Sequence, residues 1–105
     1  MIRTFFILVL FVAMSTQAGT WSGYTEITRL YPTKEGLVFN TAYKNTGLSS
    51  CDGGSRFVLD IAATDYSTQA SVLLAAFMAG KRVDLYIEDL PVRCDAVVNR
   101  FRVVR

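Results

Sequence analysis

One stretch of the chain, from Asp65 to Gly80, carries apolar residues at the spacing of a helix. They recur at i, i+4, i+7, i+8 and i+11, which places them on one helical face. These residues are Tyr66, Ala70, Leu73, Leu74 and Phe77. Asp65 or Ser67 can cap the amino end, and Gly80 can adopt the left-handed conformation after the last turn. The pattern therefore predicts one helix with a defined start and end.

The remaining sequence after residue 20 alternates between apolar and polar positions, which is typical of short, half-buried strands. The predicted strands cover residues 21–30, 37–44, 56–61, 82–88 and 97–104. In the first of them, Ile27 and Leu30 would lie on opposite faces of a straight strand. We therefore expect a bend or bulge there, and Gly23 is one place for it.

Two connections between the predicted strands have the composition of loops. Residues 32–36 begin with Pro32 and end with Gly36, an arrangement that favours a hairpin turn. Residues 45–55 consist mainly of Asn, Thr, Gly, Ser and Asp around Cys51. We expect this second segment on the surface, because such a composition does not bury its backbone.

The order of elements is strand, strand, strand, helix, strand, strand, with short connections. This order predicts a mainly β protein with the OB-fold, a five-stranded Greek-key barrel with one α-helix between strands three and four. A ferredoxin-like fold needs a second helix and a sandwich needs more strands. The side chains expected to plug the barrel are Tyr66, Leu73, Leu74 and Phe77.

Residues 1–18 have the layout of a secretory signal peptide. Arg3 gives a positive start, residues 5–14 form an apolar run, and small residues precede an expected cleavage after Ala18. The run is shorter than the roughly 20 residues that span a bilayer, so we prefer cleavage to an uncleaved anchor. We expect residues 19–105 to form a single domain in the periplasm or outside the cell.

Charge and cysteine content limit the classes of function. Removal of residues 1–18 leaves ten Lys and Arg against nine Asp and Glu, a net charge of +1, which is not typical of a polyanion binder. Two cysteines remain, Cys51 and Cys94, and an exported chain with an even number most simply pairs them. We therefore predict one disulfide, Cys51–Cys94.

Two short motifs give the chain a resemblance to a known group. The mature sequence opens with Trp21-Ser-Gly23, and the predicted helix runs through Gln69-Ala70 to Ala79-Gly-Lys-Arg-Val83 and directly into a strand. In these motifs the chain resembles the B subunits of subtilase cytotoxin and typhoid toxin and the small secreted OB-fold proteins around them. The resemblance implies secretion from a bacterium, a ring of five with helices lining the pore, a catalytic toxin subunit as partner, and recognition of cell-surface glycans.

The chain also departs from the pattern of those toxin subunits. In them a longer segment follows the Trp-x-Gly start and contacts sialylated sugar, whereas residues 24–27 here continue directly into the strand. That glycan site is therefore not transferred to this chain. The cysteine pair near the carboxyl end of the toxin subunits is absent as well, and Cys94 lies before the last strand.

Catalytic and metal sites find little support in the sequence. The chain has no histidine, the commonest general base and metal ligand, and two cysteines alone do not make a zinc site. A serine activated by lysine has no motif behind it. We therefore expect neither an enzyme nor a bound cofactor or metal, and we interpret Asp52-Gly53-Gly54 as a flexible turn rather than a calcium loop.

Several aromatic and basic residues are candidates for ligand contact. A nucleic-acid surface of stacking aromatics and cations is one reading, with Arg100, Arg102, Arg105, Phe39, Tyr43 and Phe57. We prefer barrel packing for these aromatics and surface pairing of the arginines with Asp60, Asp84 or Glu88. Trp21 and Tyr24 are suited either to stacking on a sugar or to barrel packing. The turn at Lys34 and Glu35 and the loop at 90–93 lie where OB-folds commonly bind ligands.

The helix face opposite the predicted plug carries no charge. Its residues are Thr68, Ser71, Val72, Ala75 and Ala79. A solvated helix normally bears charges on this side, so we predict contact between subunits of a homo-oligomer, against the alternative of a tolerated monomer surface. The leading hypothesis is a secreted, non-catalytic binding or assembly protein of the toxin B-subunit type. The alternative is a monomeric periplasmic OB-fold domain that binds a peptide, an envelope glycan or a protein, in the manner of an inhibitor.

Overall fold

The structure, a computed structural model, describes residues 19–105, so the predicted signal peptide lies outside the described residues. Five strands and one α-helix follow each other in the predicted order. They are β1 (Thr20–Thr33), β2 (Gly36–Thr41), β3 (Arg56–Asp60), α1 (Tyr66–Met78), β4 (Arg82–Ile87) and β5 (Ala96–Val104). Within this part of the chain no helix is long and apolar enough to cross a membrane.

The strands close into a barrel in the order β1-β2-β3-β5-β4. Neighbouring strands are antiparallel except β3 and β5, which run parallel and pair only Phe57 with Ala96 and Val58 with Val97. The helix lies between β3 and β4 in the chain. This is the OB-fold topology, and the predicted fold class is confirmed.

The first strand is bent, as the positions of Ile27 and Leu30 required. The register of β1 shifts between Trp21 and Tyr24, where Gly23 has a φ of 78°, and again between Ile27 and Arg29. Glycine adopts this left-handed conformation without steric cost, so a bulge forms there readily. The shift between Ile27 and Arg29 changes the parity of the strand between Ile27 and Leu30, so both pack against the core.

The core fills the inside of the barrel. Every second residue of β2, β3 and β4 points inward, and the buried cluster consists of Leu37, Phe39, Leu48, Phe57, Leu59, Leu73, Ala76, Val83, Leu85, Ile87, Ala96 and Val98. The opposite parity of β2, β3 and β5 forms a second, outer cluster of Val38, Val58 and Val97, against which Tyr31 packs. Strand β2 is buried along its whole length for this reason.

The helix plugs the barrel with a narrower face than predicted. Leu73 and Ala76 are buried, and Tyr66 and Ala70 pack beside them. Leu74 is 49% exposed, so its assignment to the plug was wrong, and Phe77 is only partly buried. The residues that face the barrel are 66, 70, 73 and 76, and residue 74 lies beside this face rather than on it.

The two helix ends are where the sequence placed them. Asp65 occupies the N-cap position, although its carboxylate accepts from Nε2 of Gln69 at 2.8 Å rather than from a backbone N–H. Gly80 has a φ of 66°, the left-handed value expected after the last turn.

Several strand and loop predictions need correction. β1 runs to Thr33, so the predicted turn at 32–36 shortens to residues 34–35. β2 ends at Thr41 rather than residue 44, because Ala42 and Tyr43 bond to Glu26 and Thr25 of β1 outside the ladder. β3 ends at Asp60, which leaves Ile61 55% exposed.

Residues 45–55 are not wholly a surface loop, since Leu48 and Ser49 are buried. The Ser49 hydroxyl donates to the carbonyls of Arg56 and Cys94, and Arg93 N–H donates to the Leu48 carbonyl at 3.2 Å. These bonds satisfy a polar backbone away from water. The predicted disulfide between Cys51 and Cys94 is present and ties this segment to the start of β5.

Candidate functional site

Four side chains form an aromatic–arginine cluster on the outside of the barrel: Trp21 of β1, Tyr86 of β4, and Arg100 and Arg102 of β5. The strand register brings them together, because Trp21 pairs with Tyr86 and Tyr86 pairs with Arg100. The rings of Trp21 and Tyr86 lie 4.8 Å apart at a tilt of 51°. Such a tilted pair is a favourable aromatic geometry.

The two arginines stack on these rings. The guanidinium carbon of Arg102 lies 4.3 Å from the centre of the Trp21 ring, and that of Arg100 lies 4.4 Å from the centre of the Tyr86 ring. Arg100 is also 5.7 Å from Trp21. These are cation–π distances, and they hold long, flexible side chains in defined positions.

The carboxylate of Asp84 holds one side of the cluster in place. Its side chain is almost fully buried, with one oxygen accepting from Gly23 N–H at 2.9 Å and the other from Arg102 at 2.6 Å. The carboxylate therefore fixes both the bulge of β1 and the position of Arg102. Arg100 has no carboxylate within 4 Å among residues 19–105, so its charge is left uncompensated on the surface.

The cluster is accessible to a ligand. Trp21 is 39% exposed and Tyr24, which pairs with Asp84 on the same side, is 53% exposed. Neither ring therefore lies in the barrel core. A flat apolar ring beside several N–H donors is a surface that can stack on one face of a ligand and hydrogen-bond to its edge.

The other aromatic candidates belong to the core, as preferred from the sequence. Phe39 and Phe57 are fully buried, and Tyr43 stacks on Phe57 with ring centres 6.1 Å apart. They offer no stacking platform for a nucleic acid. Arg102 pairs with Asp84 as expected, Arg100 stacks on rings instead, and Arg105 is exposed at the end of the chain.

The two loop candidates lie in different places. Lys34 and Glu35 form the exposed turn between β1 and β2, at the end of β1 remote from Trp21. Leu90 and Arg93 line an open cleft beside β5, together with Arg100. Only the second loop therefore adjoins the aromatic–arginine cluster.

The uncharged helix face is exposed throughout. All five of its predicted contact residues, Thr68, Ser71, Val72, Ala75 and Ala79, are exposed in the single chain. Larger apolar side chains extend this surface, with Val72 44% and Met78 76% exposed. Next to it lies a groove of about 310 Å³, which is lined by Leu30, Pro32, Leu37, Ala70, Ser71 and Leu74.

A second group of charges, on the β2–β3 side, is internally paired. Arg56 bonds to Asp52 at 2.9 Å and lies 3.7 Å from Asp95, and Asn40 donates to Asp52 at 2.9 Å. The bonds from Arg56 and then Asn40 lower the pKa of Asp52, and the bond to Asp52 raises the pKa of Arg56. Asp52 has a φ of 53° in the short turn Cys51–Gly54, so the segment is a turn, as the sequence predicted.

Sequence reasoning missed Tyr86 and the role of Asp84. A usable pattern was present: in β4 both have the parity opposite to Val83, Leu85 and Ile87, which places them on the outside of the barrel. The alternation does not predict the strand register, and it is the register that brings Tyr86 beside Trp21.

Within residues 19–105 no group of three or more His, Cys, Asp or Glu side chains is arranged to hold a metal ion. In comparisons with known proteins no family model matches the chain, and neither a curated protein nor a solved structure matches it.

Proposed function

We propose that this protein is an exported, non-catalytic binding protein that recognises glycans through the aromatic–arginine cluster and assembles with copies of itself. The observation that carries the proposal is the exposure of Trp21 beside two arginines held in place by ring stacking and by Asp84. The resemblance to the toxin B subunits agrees with this proposal and suggests cell-surface glycans as ligands.

The chemistry of the cluster suits a sugar. The C–H face of a pyranose is apolar and packs on an indole or phenol ring, while its hydroxyls accept hydrogen bonds at the edge. Arg100 supplies such donors without a competing carboxylate in residues 19–105, and Tyr24 adds an exposed ring on the same side. The near-neutral charge of the chain disfavours nucleic acid as the ligand.

A glycan array with the purified protein tests the recognition. We expect saturable binding to a limited set of glycans, with Trp21→Ala and Arg100→Ala each reducing affinity by about tenfold or more. Arg29→Ala is the matched control, because Arg29 is an exposed arginine of β1 outside the cluster. Absence of binding to every glycan, or equal loss in the Arg29 control, would contradict the proposal.

The proposal of self-assembly rests on the helix. No charged residue occurs between Tyr66 and Gly80, and the exposed side includes Val72, Leu74 and Met78 beside an apolar groove. A second copy of the chain would bury this surface, and small residues at 75 and 79 would allow close approach. A ring of five follows only from the resemblance.

Light scattering decides between an oligomer and the monomeric alternative. We expect an oligomer at tens of micromolar protein, and we expect Ala75→Glu to convert it to folded monomers by burying a charge at the contact. Ala42→Glu, at an exposed alanine outside the helix, serves as the control. A wild-type monomer at these concentrations would favour the monomeric periplasmic binding domain instead.

A further inference from the structure

An open cleft of about 550 Å³ lies beside the aromatic–arginine cluster. Its walls are the segment that joins β3 to α1, the loop that joins β4 to β5, and residues 97–100 of β5. The polar residues that line it are Asp60, Thr64, Asp65, Glu88, Arg93, Asn99 and Arg100. The cleft is thus rich in hydrogen-bonding groups at its rim.

These polar side chains make few hydrogen bonds with one another. Asp60 accepts from the N–H of Ala62, and Asp65 accepts from Gln69, each through one oxygen. Glu88 has a long contact of 3.4 Å with Asn99. In the described part of the chain neither Arg93 nor Arg100 comes within 4 Å of a carboxylate, in contrast to Arg56 and Arg102. The rim therefore keeps donors and acceptors for a ligand.

Arg100 joins this cleft to the cluster. Its guanidinium stacks on Tyr86, and the same side chain lines the cleft. A smaller cavity of about 380 Å³ lies between them and shares Glu88, Asn99 and Arg100 with the cleft. The two surfaces are continuous, so a single extended ligand can contact both.

We infer that the cleft is a second subsite for the same ligand and binds a neutral sugar residue next to the one that stacks on Trp21. This inference rests on the proposed function. Three carboxylates and two guanidiniums give the rim a formal charge of −1, which disfavours an acidic sugar there. Carboxylate, amide and guanidinium groups together match the mixed donor and acceptor character of sugar hydroxyls. The ligand is therefore an oligosaccharide rather than a monosaccharide.

The dependence of affinity on ligand length tests the inference. The probes are neutral cello-, chito- and β-galacto-oligosaccharides of one to five residues, titrated into the protein by calorimetry. For the series that binds, we expect affinity to rise by about tenfold or more from the monosaccharide to longer members. The double variant Glu88→Gln/Arg93→Ala should remove this gain and leave monosaccharide affinity within about twofold.

A matched double variant, Glu26→Gln/Arg29→Ala, removes the same charges from exposed positions of β1 outside the cleft and should keep the gain. Circular dichroism checks that both variants are folded. An affinity that does not change with length, or a gain that survives the cleft variant, overturns the second subsite and leaves glycan recognition by the cluster intact. Failure of all saccharides, neutral and acidic, overturns both.

Discussion

The β2–β3 side of the barrel and its β1–β4 side are both built from outward-facing residues of adjacent strands, and they differ in what is fastened over them. On the β2–β3 side, Val38 and Val58 are buried with Tyr31 packed against them. Arg56 is paired with Asp52 of the segment 45–55, which the disulfide ties to the start of β5. On the β1–β4 side, Trp21 is exposed, and Arg100 of the adjoining strand β5 is unpaired within residues 19–105.

The comparison shows how to separate structural from binding groups on a small barrel. Alternation along a strand predicts which side chains face the outside of the barrel. It does not predict whether another part of the chain covers them. Where another part of the chain covers them, charged groups pair with one another and apolar side chains are buried. Where it does not, aromatic and basic groups remain exposed.

The disulfide is expected to have the largest effect on this difference. Cys51→Ser with Cys94→Ser removes a link across 43 residues and should lower the free energy of unfolding by about 4 kcal/mol in the chain-entropy model. Urea denaturation measures the loss. Reducing agent should destabilise the wild type and have no further effect on the double variant. An unchanged midpoint would mean that the bond does not constrain the unfolded chain in this way.

Leu48→Ala tests whether residues 45–55 are part of the core. Leu48 is buried in the main cluster, so its truncation should leave a cavity and cost about 2 kcal/mol or more. Leu90→Ala, at a more exposed leucine of the last loop, should cost less than about 1 kcal/mol. Thermal and urea unfolding compare the two variants, and equal losses would contradict the burial of Leu48.

Trp21→Ala makes the corresponding change on the open side. Its side chain is exposed but stacks with Tyr86 and Arg102, so we expect a loss of about 1 kcal/mol, with the fold retained. The same variant should lose glycan binding. A stability loss as large as that of Leu48→Ala, measured by the same unfolding curves, would make the cluster a structural feature instead.

The paired charges on the β2–β3 side predict a small dependence on pH. Arg56 and Asn40 hold the pKa of Asp52 below 3.8, so the unfolded chain binds this proton more readily than the folded one. The stabilisation is present above that pH and is lost as pH falls through the lowered pKa. Urea midpoints between about pH 2 and pH 5 should fall less steeply for Asp52→Asn than for wild type. Asp89→Asn, an exposed carboxylate, should follow the wild type.

Local pattern was enough for the barrel because the strands alternate cleanly. Val83, Leu85 and Ile87 are all fully buried, as the period of two required, and the irregularity of β1 between Ile27 and Arg29 followed from the opposed positions of Ile27 and Leu30. The same approach failed for Leu74. Helical periodicity assigned it to the apolar face of the helix, but only a narrower part of that face is buried against the barrel.

The parts that sequence could not supply depend on contacts between distant residues. Leu48 and Ser49 are buried through bonds to Arg93, Arg56 and Cys94, and composition around Cys51 gives no sign of them. Trp21 was a candidate from its side chain alone. Its partners came from the pairing of three strands, which only the closed barrel defines.

The short parallel contact between β3 and β5 has a consequence for how the chain folds. The closed barrel joins β3 with β5 and β1 with β4 across long stretches of sequence, whereas β1–β2, β2–β3 and β4–β5 join strands that are closer in the chain. Contacts of long sequence separation form late, because the loop between them must be ordered first. The Cys51–Cys94 bond lies next to this seam and shortens that search. We therefore expect the β3–β5 contact to form faster in the oxidised chain than in the reduced chain.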